Sequence, residues 1–171
     1  MVQQRRSWSQ LFLLVCSLPG IGIAIYLTIV HYNESVPLVC SGSGLVNCAL
    51  VLSSPYSVVP GTSVPISIPG LAWCIVMVAL AIVGLNAQPR WLRPAQFVWA
   101  LVGLLTVLYL VYVEIVRLHA ICAWCSALHV LILLMFLVTL VRLTSPTPEP
   151  VESEPEHTRD DETQAARPPA R

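Results

Sequence analysis

Four long apolar runs constrain this chain more than any other feature of it. They cover Leu11 to Val30, about Ile68 to Leu85, about Ala95 to Val116, and Ile121 to about Arg142. A bilayer-spanning helix needs about 20 mostly apolar residues, because once water is excluded each backbone N–H and C=O must be satisfied within the segment. Composition agrees, since 56% of the 171 residues are hydrophobic and 11% are charged, against about 25% charged in an ordinary soluble domain. The expected fold is an all-α integral membrane protein, a four-transmembrane-helix bundle over residues 1–143. Beyond it, Pro, Glu and Asp displace the large apolar side chains, so a disordered tail is expected over 144–171. The formal net charge is zero, which offers nothing to nucleic acid or another polyanion.

The first run is too long for a signal-peptide core and no small-residue cleavage site follows it, so an uncleaved helix is expected. Pro19 is expected to bend that helix, and Gly20 and Gly22 to let a neighbour approach closely. Arginine is the sole basic residue besides histidine, and its distribution sets an orientation. Arg5 and Arg6, Arg90 and Arg93, and Arg142 flank the N-terminus, the second connection and the end of the fourth run, whereas the first and third connections hold only Arg117. By the positive-inside rule both termini are cytoplasmic, and the first and third connections face the extracytoplasmic side of the cell membrane.

Those two connections carry the cysteines that matter. Cys122-Ala123-Trp124-Cys125 opens the fourth run, where exposed N–H groups and the positive end of the helix dipole favour a thiolate. His129 lies four residues beyond Cys125 on the same helical face, about 6 Å deeper at 1.5 Å per residue. The first connection holds Cys40 and Cys48, parted by the turn residues Ser41 to Gly44. The short apolar segment Leu45 to Leu52 cannot span and is expected to lie along the surface as a half-helix carrying Cys48. Cys16 and Cys74 fall inside runs and read as small packing residues, Cys74 within reach of a site at that surface. Glu114 and Arg117 read as an interfacial ion pair. No His/Cys pair adjoins the C-x-x-C, so no metal is expected.

Two cysteine pairs on one side of a membrane bundle, one fixed at a helix end and one on a long loop, make a disulfide relay. Thiol–disulfide exchange moves two electrons without disposing of them, so a terminal acceptor is needed. In a bilayer that acceptor is a quinone, menaquinone or ubiquinone, whose flat ring would lie beneath Cys125 with Leu52, Ser53, Trp124 or His129 beside it. His129 reads equally as a packed core histidine.

The order of motifs adds a resemblance. A spaced cysteine pair in the first outer loop, then Val51-Leu52-Ser53-Ser54, then C-x-x-C opening the fourth span resembles the vitamin K epoxide reductase family over about residues 10–143. The DsbB-type quinone reductases are related in mechanism but place their C-x-x-C first. The resemblance implies that Cys122 and Cys125 are the active-site pair with Cys125 facing the quinone, that Cys40 and Cys48 are the shuttle pair, and that Ser53 is the family's loop serine. Ile66 and His129 stand where the vertebrate enzymes have the asparagine and tyrosine that hold the vitamin K head group, which favours plain quinone reduction. No fused thioredoxin-like domain is evident, so the thiol donor is expected to be a separate extracytoplasmic thioredoxin-fold (DsbA-like) protein. The expected activity is quinone-dependent thiol oxidation that drives disulfide formation. A vitamin K recycling reductase and a non-catalytic membrane protein with structural disulfides are the alternatives.

Overall fold

Each apolar run becomes one long helix in the computed structural model, which describes residues 2–33, 35–40, 44–87 and 89–145. The elements are α1 (Val2–Tyr32), α2 (Cys48–Leu52), a 3-10 turn (Pro55–Ser57), α3 (Ser67–Asn86), α4 (Leu92–Tyr112), a π-helical turn (Val113–Leu118) and α5 (Ala123–Thr144). Four segments are long and apolar enough to cross a membrane: Ser7–Tyr32, Ser67–Asn86, Leu92–Leu118 and Ala123–Thr144, with mean hydropathy from 2.1 to 2.4. The chain is a multi-pass membrane protein. The turn expected at Ser41 to Ser43 and the tail beyond Ser145 lie outside the described residues.

Two boundaries differ from the sequence reading. α1 starts well before Leu11, because a helix once nucleated propagates through Gln3 to Gln10 at little cost. The surface helix is shorter than Leu45 to Leu52. It starts at Cys48, where the Asn47 side chain accepts the N–H of Leu50 at 3.0 Å and fixes the first turn.

α1 packs mainly on α3, α4 mainly on α5, and α1 also meets α5, whereas α3 and α4 touch sparsely. Leu13, Met77, Ala81, Ala100 and Met135 close the core between them. Gly20 makes the expected close approach: a Cβ there would lie 3.0 Å from the Cys74 sulfur. Gly22 faces open space and has no such role. At the end of the bundle remote from the cysteines, the buried Gln96 amide donates to Gln10 Oε1 at 2.9 Å and to the Leu80 carbonyl at 3.2 Å, while Arg142 donates to Gln96 Oε1 at 2.7 Å.

At the opposite end, the connection between α1 and α3 folds over the start of α5. The Ile121 N–H donates to the Leu45 carbonyl at 2.8 Å and the Asn47 N–H to the Ile121 carbonyl at 3.0 Å, a single parallel bridge between Val46 and Ile121. The segment before Cys40 is held by aromatic residues. Tyr26 Oη accepts the Val39 N–H at 2.9 Å, the Trp124 indole donates to the Val39 carbonyl at 2.8 Å, and the Tyr26 and Trp124 rings meet at 5.0 Å.

Candidate active site

The chain leaves the π-helical turn through His119, whose left-handed conformation (φ 51°) ends the helix and redirects the backbone. Three residues later Cys122 caps α5. Its sulfur accepts the N–H of Cys125 at 3.3 Å, and the Cys125 thiol donates to the same sulfur at 2.6 Å. Donation from the Cys125 thiol, with backbone N–H groups of Cys125 and Trp124, outweighs burial and the negative charge of Glu114. Together they hold Cys122 below the usual thiol range. Cys122 is fully buried and Cys125 half-buried. The loop lies beside Cys122, and Cys125 faces the interior space of the bundle.

Cys40 and Cys48 form a disulfide with Cα atoms 6.1 Å apart. Cys48 is buried, whereas Cys40 retains exposure. In the parallel register of the Val46–Ile121 bridge Asn47 stands opposite Cys122, so Cys48 follows one residue beyond that position, on a loop pinned to the start of α5.

Two cavities adjoin at Cys125. The larger, about 430 Å³, lies along the sparse α3–α4 face and is walled by Trp73, Trp99, Val102 and Ile132. The smaller, about 70 Å³, sits under the loop and is lined by Leu52, Ser54, Ser57 and Glu114. Cys125, His129, Leu27 and Ile66 line both. A bicyclic aromatic ring suits the largely apolar walls of the larger space, whose polar side chains besides the two indoles are Ser67, Thr106, Cys125 and His129.

The model of the vitamin K epoxide reductase family matches residues 11–140. The chain belongs to that family. No curated protein matches the chain. Membership in the vitamin K epoxide reductase family implies thiol oxidoreductase activity, in a membrane protein that carries two cysteine pairs.

The residues expected around the acceptor separate. Leu52 and His129 line the smaller cavity, and His129 also reaches the larger. Ser53 does not line either one: it caps the C-terminus of α2, exposed, and its hydroxyl lies 3.4 Å from the Leu50 carbonyl. Its neighbour Ser54 turns inward, buried, in its place. Trp124 lines neither cavity, being spent on Val39 and Tyr26. Cys16 and Cys74 are buried free thiols, and neither lines either of these two cavities.

Glu114 was expected to pair with Arg117, and among the described residues that pair does not form. Glu114 is buried and lines the smaller cavity, whereas Arg117 is exposed. The cause is the π-helical turn. Its i→i+5 spacing, with the His119 and Ala120 N–H groups closing on the Glu114 carbonyl, breaks the α-helical face that residues three apart would share. The sequence signal for Glu114 was its position, an acid within a spanning run.

Proposed function

We propose that this protein oxidises an extracytoplasmic dithiol partner of thioredoxin fold and passes the electrons through Cys40/Cys48 and Cys122/Cys125 to a membrane quinone, thereby driving disulfide formation. One observation carries the reading. The Val46–Ile121 bridge pins the loop that carries Cys48 to the backbone beside Cys122, while Cys125 opens onto a largely apolar cavity. A structural disulfide would need neither the second pair nor the cavity.

The chemistry runs along that arrangement. A thiolate of the partner attacks the Cys40–Cys48 disulfide at Cys40, the less buried residue of the two, and frees Cys48. Cys48 then attacks Cys122 of the oxidised helix pair, and Cys125 leaves as the thiolate. The partner's second thiol resolves its mixed disulfide with Cys40. The remaining Cys40 thiol then displaces Cys122 from Cys48, which restores the loop disulfide and leaves Cys122 and Cys125 reduced. A quinone supplies the two-electron acceptor chemistry. The protein's part is to hold a flat ring between Trp73, Trp99 and Ile132 with Cys125 and His129 at its edge, and to exclude water from it. Ile66 and His129 both line the cavities, so the site offers an apolar wall and an imidazole at the two positions that hold the vitamin K head group in the vertebrate enzymes. That supports plain quinone reduction over epoxide reduction. The arginine pattern supports cytoplasmic termini and an outward-facing loop.

The test is quinone reduction by the purified protein with a reduced thioredoxin-fold donor. Turnover with menaquinone or ubiquinone analogues and none with the vitamin K epoxide is expected. Absence of turnover with every quinone, with the four cysteines intact and exchanging, would overturn the reading.

A further inference from the structure

We infer that Glu114 is a catalytic proton carrier, moving a proton between the Cys122–Cys125 dithiol and the ring oxygen of the quinone. The inference rests on the function proposed above and adds to it a residue outside the cysteine relay.

A dithiol that becomes a disulfide loses two electrons and two protons, and a quinone that becomes a hydroquinone gains two of each. One S–S bond forms, two S–H bonds break and two O–H bonds form on the acceptor. The cysteines account for the electrons. The protons need a route, because the larger cavity is lined almost entirely by hydrocarbon and aromatic side chains. With Cys122 already ionised its proton has gone to solvent, and the anionic acceptor regains that proton from solvent once it leaves the cavity. The Cys125 proton faces the apolar space. Cys125 faces both cavities, and its thiol points at the Cys122 sulfur.

Glu114 is placed to take it. Its carboxyl group is buried, with 5% of the residue exposed, and it lines the small cavity together with Cys125 and His129. The His119 and Ala120 N–H groups close on the Glu114 carbonyl, and this turn sets Glu114 at the entry to Cys122. A buried carboxylate with no ion pair among the described residues is expensive in a membrane protein and is retained for a task. The π-helical turn is the local device that aims it. Such turns inserted in helices recur at functional sites, and this one ends in the left-handed His119 that starts the turn to Cys122. A carboxyl that accepts the Cys125 proton and delivers it to the ring oxygen keeps the two charge movements together. Without it, charge would have to build up on the acceptor inside an apolar space.

The experiment compares Glu114→Gln, Glu114→Asp and Arg117→Gln with the unaltered protein, under a reduced thioredoxin-fold donor, with and without a quinone analogue. Two readouts are taken: quinone reduction, and the thiol state of each cysteine pair by alkylation and mass spectrometry. In Glu114→Gln, quinone reduction is expected to fall about a hundredfold or more, the range typical of a lost acid–base group. Electrons should still pass from Cys40/Cys48 to Cys122/Cys125 without quinone, so that the reduced helix pair accumulates when quinone is added. Glu114→Asp should recover part of the rate, and Arg117→Gln should match the unaltered protein. Quinone reduction by Glu114→Gln at the unaltered rate would overturn the inference. So would a parallel loss of internal exchange and quinone reduction, which would make Glu114 a support for the Cys122 backbone. If the unaltered protein itself reduces no quinone, the proposed function fails first, and this inference with it.

Discussion

Trp73 and Trp99 exchange hydrogen bonds across the sparse α3–α4 face: the Trp73 indole donates to the Trp99 carbonyl at 2.9 Å, and the Trp99 indole to the Trp73 carbonyl at 3.1 Å. Two rigid indoles thereby prop apart the helices that wall the larger cavity. Gly103 makes this possible, because a Cβ there would run into the Trp73 ring. Gly103→Ala is expected to lower stability by about 1–3 kcal/mol through overpacking and to weaken protection by a quinone analogue. Thermal unfolding in detergent checks both, with Gly22→Ala, which meets nothing, as the comparison. Equal midpoints for the two variants would show that the α3–α4 face yields without cost.

Removing the resolving thiol should freeze the relay. In Cys125→Ala, the Cys122 thiolate attacks the loop disulfide at Cys48 and releases Cys40, and no helix thiol is left to resolve the bridge, so a Cys48–Cys122 disulfide should accumulate and quinone reduction should cease. Non-reduced digests identify the linkage by mass. A Cys40–Cys122 bridge would exchange the roles of the loop cysteines, and no bridge between the pairs would remove the relay.

Cys122 should ionise at lower pH than an ordinary thiol, and Cys125 is the chief reason. With Cys16, Cys40, Cys48 and Cys74 replaced by serine or alanine, thiolate absorbance in the ultraviolet should rise at a pH below the usual cysteine range. The sign follows from the donor. The lowered thiol is charged above its depressed midpoint and neutral below it, so nucleophilic exchange is retained in mild acid and lost only as pH falls through that midpoint. Adding Cys125→Ala removes the S–H donor and leaves burial to dominate, so the midpoint should move up. A midpoint that stays put would assign the depression to the helix end alone.

The loop disulfide is unevenly exposed, which sharpens the test of orientation. After mild reduction of intact cells, an impermeant thiol reagent should label Cys40 well ahead of buried Cys48. Labelling only after permeabilisation would place the loop on the cytoplasmic side, against the arginine distribution.

The spans and both cysteine pairs were legible because each depends on local properties of the chain. Hydropathy over about 20 residues marks a helix, and Cys122-Ala123-Trp124-Cys125 sits at the end of one whatever surrounds it. The cavity contacts were less so. The choice between Ser53 and Ser54 depends on where a helix of five residues stops, and so short a helix has no periodicity to read. Trp124 resembled a ring contact by proximity to the dithiol, but its indole N–H is taken by a carbonyl 85 residues away. Glu114 and Arg117 obeyed the α-helical spacing rule, and a π-helical turn, which no sequence period announces, voided it.

The polar contact of Gln10, Gln96 and Arg142 also bears on how the bundle assembles in lipid. The three side chains come from α1, α4 and α5 and meet at one level. Sliding any of those helices by one turn, about 5.4 Å, would strand an amide or a guanidinium in hydrocarbon with nothing to bond. Apolar faces alone tolerate such a slip, because one leucine replaces another. These three residues therefore set the helix registry, and with it the depth at which Cys125 meets the cavity, before any cysteine has been oxidised.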